Sequence, residues 1–201
     1  MQGAFEFYRD LPARPKHPER LFFGLLPAPE TAVRVRRFAE EFIRKNCIEG
    51  TRLKTDCLHV SLHHVGDYKR LRTKIVYAAQ QAGNAVAMRR FEMTLYAVMS
   101  FERLPSADGR ARKRPLVLLG ESDALSELHE MLGAAMRKTG LRAAAGFAPH
   151  MTLCYGATWI PAQAIEPIRI AVNEFALIHS ELGRTRYNVV NRWLLETRSG
   201  I

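Results

Sequence analysis

A tetrapeptide that occurs twice limits the folds open to this chain more than any other stretch. His59-Val60-Ser61-Leu62 and His150-Met151-Thr152-Leu153 both read histidine, apolar residue, hydroxyl residue, leucine. From average residue usage, two such matches arise by chance in very roughly one chain in several thousand. Both lie in strand-like surroundings, where residues i and i+2 share a face. His59 and Ser61 therefore project to one side, with Val60 and Leu62 packed behind them. His150 and Thr152 do the same in front of Met151 and Leu153. A fold that turns both strands toward one cleft collects two imidazoles and two hydroxyls.

That set fits phosphodiester chemistry. Imidazole titrates near neutrality, so one ring can accept a proton while the other donates one. Hydrolysis of a cyclic phosphate needs both acts, because a water must lose a proton and the leaving ribose oxygen must gain one. The hydroxyls of Ser61 and Thr152 can hydrogen-bond the non-bridging oxygens, where charge concentrates in the transition state. The scheme calls for no metal and no cofactor. His59 and His150 are thus the candidate catalytic residues, and Ser61 and Thr152 the candidate substrate-binding ones.

The remaining pattern places these strands in a mixed fold. Leu21–Leu26 reads as a buried strand ended by Pro27 and Pro29. Thr31–Asn46 has helical periodicity, with Val35, Phe38, Ala39, Phe42 and Ile43 on one stripe. Leu58–Val65 is a strand. Asp67 is placed to cap a second helix carrying Leu71, Ile75 and Ala79. Phe91–Phe101 alternates as a long strand, Pro105–Arg114 is turn-rich, and Leu116–Leu119 returns as a strand. Ser122 or Asp123 caps a third helix reaching about Lys138, and Gly140 ends it. Strands at His150–Tyr155, Ile168–Ile178 and Tyr187–Leu195 follow. Seven strands, mostly antiparallel, and three helices give an α+β class. Residues 1–19, with three prolines among charges, read as an irregular arm, and residues 20–201 as one domain.

Composition bounds the partners. A net charge of +10 favours anionic partners without choosing among them. No apolar run reaches 18 residues and the N-terminus lacks the order of a secretory signal, so no membrane partner is expected. Three well-separated cysteines, Cys47, Cys57 and Cys154, argue against a disulfide framework and for a reducing, cytoplasmic setting. No obligate protein partner is evident.

At the two motifs the chain resembles the 2H phosphoesterase superfamily, defined by paired His-x-Thr/Ser-x motifs. It is most similar to the RNA 2′,3′-cyclic phosphodiesterase branch, historically called 2′-5′ RNA ligase. Arg20-Leu21-Phe22-Phe23-Gly24-Leu25-Leu26-Pro27 is similar to that branch's opening strand, and Phe147-Ala148-Pro149-His150 to its entry into the second motif. Ile178-His179-Ser180-Glu181-Leu182, with Tyr187 and Trp193, is similar to its closing strands. The resemblance implies a bilobal fold in which two antiparallel sheets face a central cleft and helices cover the outer faces. It implies an RNA or nucleotide substrate, a terminal 2′-phosphate product, and 2′-5′ ligation as a minor reverse activity. It leans to His150 as base and His59 as acid. Ser61 stands where the branch usually has Thr, and Cys154-Tyr155-Gly156 stands where many members carry Arg.

Other residues have plainer readings beside functional ones. His63 shares the face of His59 by strand parity, at the cleft edge or the surface, while His64 faces the other way. Cys154 falls on the motif face as a small filler. Tyr155, Tyr187 and Trp193 can stack a base, and Tyr155, next to the second motif, is the substrate-binding candidate among them. Arg110, Arg112, Lys113 and Arg114 form either a solvated hairpin tip or a phosphate-tracking clamp. Two alternatives stay open: a binding module without turnover, and a cyclic phosphodiesterase acting on a small nucleotide such as an ADP-ribose cyclic phosphate.

Overall fold

The opening strand shows how the sheet is built. In the computed structural model, which describes residues 16–102, 113–184 and 186–196, β1 (Glu19–Leu25) lies between two antiparallel neighbours. Its alternation sends Leu21, Phe23 and Leu25 into the main core and leaves Arg20 and Phe22 for the opposite face. One neighbour is β3 (Val60–Tyr68) and the other is β8 (Glu174–Glu181), which pairs in turn with β9 (Arg186–Leu194). A second group runs β7 (Gln163–Val172), β4 (Phe91–Ser100), β5 (Arg114–Glu121) and β6 (His150–Gly156). The short β2 (Gly50–Arg52) adds to the edge of β6.

The two expected sheets are therefore present as halves of one antiparallel sheet, β7-β4-β5-β6 and β3-β1-β8-β9. They are joined between β3 and β6 through one residue pair, Val60 opposite Met151. That pair lies inside both motifs, so the join itself brings the two motifs side by side.

Three helices cover one face: α1 (Pro29–Lys45), α2 (Thr73–Asn84) and α3 (Asp123–Lys138). Pro29 starts α1 where its missing N–H costs nothing. The stripes Ala32, Val35, Ala39 and Ile43 of α1, and Leu125, Leu128, Leu132 and Met136 of α3, belong to one contiguous core. Each fully buried leucine there contributes about 1.5–3 kcal/mol. α3 ends at Lys138 with Thr139 as its C-cap, followed by Gly140 at φ +79°, where a side chain would be strained. Among the described residues, no helix is long and apolar enough to cross a membrane.

Several sequence expectations need correction. The stretch read as one strand from Ile168 to Ile178 is two. β7 pairs within one half and β8 within the other, and the chain crosses between them at Asn173, which no glycine or proline marks. β2 is too short to show a pattern. Asp67 does not cap α2; it lies within β3 and binds Arg20, and α2 begins without a side-chain cap. Of the expected arm, residues 1–15 lie outside the described residues, and Glu19 opens β1. Most of the basic hairpin tip, including Arg110 and Arg112, also lies outside them. Lys113 donates to Thr51 Oγ1 at 3.2 Å, and Arg114 donates to the Ala157 carbonyl at 3.3 Å.

Candidate active site

Each motif histidine is fixed the same way. The His59 Nδ1 lies 2.9 Å from the carbonyl of Cys57, and the His150 Nδ1 lies 2.7 Å from the carbonyl of Ala148. A carbonyl only accepts, so each Nδ1 carries the proton and donates it to the residue two positions back. That bond sets the tautomer and the ring orientation, and leaves each Nε2 as the nitrogen able to accept a proton. Each ring also packs against a phenylalanine. Phe22 lies 5.0 Å from His59, and Phe101 lies edge-on at 4.8 Å from His150. Tyr187 meets His59 edge-on at 5.3 Å, with its hydroxyl 3.5 Å from Nδ1.

Both histidines line one cavity of about 540 Å³, together with Ser61, Thr152 and Tyr155. That volume suits a nucleotide-sized ligand. The structure thus brings together all five residues singled out from the sequence. Arg20, Arg52, His64, Ser180 and Tyr187 share the lining. Burial pushes the His59 imidazole below its ordinary value, against the Cys57 carbonyl, which favours the charged ring, and with the nearby Arg20 charge, which opposes it. His59 is accordingly uncharged at neutral pH. Burial raises the Tyr187 phenol, which stays protonated. Among the described residues, no three His, Cys, Asp or Glu side chains are grouped to hold one metal ion.

The face assignments beyond the fourth motif residue are corrected by a pair of matching β-bulges. Gly24 lies opposite Ser61 but Phe23 lies opposite His63, so Leu62 is the extra residue in β3. Val117 lies opposite Thr152 but Leu116 lies opposite Cys154, so Leu153 is the extra residue in β6. A bulge inverts the alternation that follows it. His63 and Cys154, expected on the motif face, are instead buried at 2% and 1% exposure. His64, expected to face away, lines the cavity, and Tyr155 holds the equivalent place in the other half. The two motifs are repeated down to their defect.

His63 therefore belongs to the core. Its Nε2–H donates to the backbone carbonyl of His129 at 2.8 Å, and the two rings stack at 3.9 Å. Gly133 makes room on α3, since a Cβ there would come within 3.1 Å of the His63 ring. Phe147 stacks on the far side of His129 at 4.3 Å. His63 Nδ1 and His129 Nε2 are buried with no hydrogen-bond partner among the described residues. Burial lowers both imidazoles, and that of His129 falls from 6.5 to about 4. The unfolded chain then binds more protons than the native one below about pH 6.5, so stability is full above that pH and is lost on acidification toward pH 4. Urea unfolding at pH 7 and pH 5 is expected to show a loss on the order of 1–2 kcal/mol from this stack. His129→Phe should reduce the loss, and an identical loss in that variant would remove the stack as its source.

Sequence reasoning missed Arg20 and His64 as lining residues. Arg20 alternates with Phe22 on β1, a legible signal. His64 reaches the cavity only through the bulge.

A family model described as the 2′-5′ RNA ligase superfamily matches residues 27–184, which include both motifs. Among solved structures the chain is similar to E. coli LigT in apo form, at 25% identity and a TM-score of 0.64 over 90% of this chain and 99% of that one. LigT complexed with ATP gives 25% identity and a TM-score of 0.65 over the same shares. TT0787 of Thermus thermophilus shows the same fold at 21% identity and a TM-score of 0.66, over 88% of this chain and 97% of that one. No curated protein matches. The matched family is one of enzymes that act on phosphodiester bonds. With its motifs, its fold and its matched span in agreement, the chain belongs to the 2′-5′ RNA ligase superfamily of 2H phosphoesterases.

Proposed function

We propose that the protein hydrolyses a ribose 2′,3′-cyclic phosphate at an RNA or oligonucleotide end to a 2′-phosphomonoester. The observation that carries this reading is that both imidazoles line one cavity, each with Nδ1 tied to a carbonyl and Nε2 left for chemistry. His59, uncharged at neutral pH, accepts a proton from water as the water oxygen bonds to phosphorus. The bond from phosphorus to the 3′ oxygen breaks, and His150 returns a proton to that oxygen. This order is the reverse of the one implied by resemblance, and the lowered His59 imidazole is its ground. Ser61 and Thr152 donate to the non-bridging oxygens. E. coli LigT has been solved in complex with ATP and with 3′-AMP, which supports a nucleotide as the class of ligand. The +10 charge draws a polyanion toward it.

The direct test is turnover of an oligoribonucleotide ending in a 2′,3′-cyclic phosphate, with the product identified by its sensitivity to phosphomonoesterase. Release of a 2′-monoester is expected, and a cyclic end that survives intact rejects the assignment. Rates on a cyclic mononucleotide, measured alongside, distinguish an RNA substrate from a small nucleotide. Thr152→Ala is expected to lower kcat by about 10²-fold. Ser61→Thr, which keeps the hydroxyl, should preserve activity where Ser61→Ala does not. Equal rates in Ser61→Ala and wild type would remove Ser61 from the site.

A further inference from the structure

The second motif is followed by no arginine, yet the cleft holds an oriented one from the other half of the sheet. Arg20 donates from Nε and Nη2 to the two carboxylate oxygens of Asp67, both at 2.8 Å. This bidentate pair fixes the guanidinium plane and commits one edge of it. Nη1 and the outer N–H of Nη2 remain. Arg20 lies in the cavity lining, but Asp67 does not; it lines a neighbouring depression. The positive end of the pair therefore meets the cleft, and the negative end lies behind it.

The surroundings agree. Asp67, Arg20, Ser180 and Tyr187 form one row across β3, β1, β8 and β9. His64 also reaches Asp67, with Nε2 2.9 Å from Oδ1, so the carboxylate is held from two sides. Arg20 brings the Asp67 acid down to about 2, which keeps it ionised throughout the working range. Arg20, His59 and Tyr187 line the same cavity. The other cationic candidate, Arg52, lies on the exposed edge strand β2 and has no side-chain partner among the described residues to orient it.

We propose that Arg20, oriented by Asp67, is the phosphate-binding cation of this cleft, with Asp67 as its positioning residue. This rests on the reading of the cleft as a phosphoesterase site and extends it to the group that grips the phosphate. A guanidinium held this way binds a non-bridging oxygen and tightens as charge builds on it.

The test uses the full chain and two readouts. One is inorganic phosphate affinity, followed by NMR at the His59 and His150 imidazoles. The other is kcat and KM on the cyclic-ended oligoribonucleotide. Arg20→Met is expected to weaken phosphate by about 10- to 100-fold. It should also raise the His59 pKa, because a nearby positive charge is gone. Arg20→Lys should restore part of the affinity. Asp67→Asn, which keeps Arg20 but loosens it, should fall between wild type and Arg20→Met. If Arg20→Met does not fold, the Lys and Asn variants decide the matter by the same ordering. Unchanged phosphate affinity in these variants overturns the proposal, as does a loss seen in Arg52→Met in place of Arg20→Met. A wild type that binds phosphate through Arg20 yet turns over no cyclic phosphate leaves this inference standing and rejects the proposed activity. A wild type that turns over with no dependence on Arg20 does the opposite.

Discussion

Alanine at His59 or at His150 is expected to lower kcat/KM on a cyclic-ended oligoribonucleotide by about 10³-fold or more, with the fold retained. General acid–base catalysis by one side chain contributes about 10²–10⁴-fold. Both rings lie at the cavity wall rather than in the main core, so their loss leaves that core intact. On the proposed relay, the double variant should fall little below either single one. In the wild type the acid limb of kcat/KM reports protonation of the base. With His59 as base, the limb lies below 6.5, because burial lowers that imidazole. Activity falls as pH drops through that limb. The limb should vanish from the residual rate of His59→Ala. A limb that persists there assigns it to another group, and retained activity in both variants rejects the two-histidine mechanism.

Phe23→Ala is expected to cost about 3–5 kcal/mol of stability. Phe23 is fully buried, with Phe175 at 6.3 Å and Trp193 at 5.8 Å, and those two stack on each other at 5.1 Å. Removing the ring leaves a void that three strands must tolerate, because β1, β8 and β9 each contribute one of these aromatics. Urea unfolding should show a lower midpoint at an unchanged slope. A loss below about 1 kcal/mol would mean that the aromatic group collapses onto the gap.

Much of this architecture is legible in the residues alone. The stripes of α1 and α3 follow helical periodicity, and Val35, Ala39, Leu128 and Leu132 are buried as their spacing requires. The duplicated motif marks His59, Ser61, His150 and Thr152, and all four line one cavity. What cannot be read is phase. Leu62 and Leu153 look like ordinary strand residues, yet each is the extra residue of a bulge, and strand parity fails one position later. Hence parity puts His63 and Cys154 on the wrong face and misses His64. The break at Asn173 is hidden for a similar reason: it is set by which half each strand joins, a long-range choice with no local signature. The Arg20–Asp67 pair joins residues on different strands, and charge alone does not reveal it.

The join between the halves has a mechanical meaning. With one backbone pair at Val60 and Met151, the ladder that crosses from half to half is too short to hold a fixed angle. The angle is set instead on the far side, where α2 packs against α3 and α3 touches strands of both halves. The opening between the two motif histidines thus depends on apolar helix packing behind the sheet, as the opening of callipers is set at the arms and not at the tips. A side chain such as Ala79 or Leu132, fully buried on α2 and α3, thereby bears on the shape of a cleft it does not line.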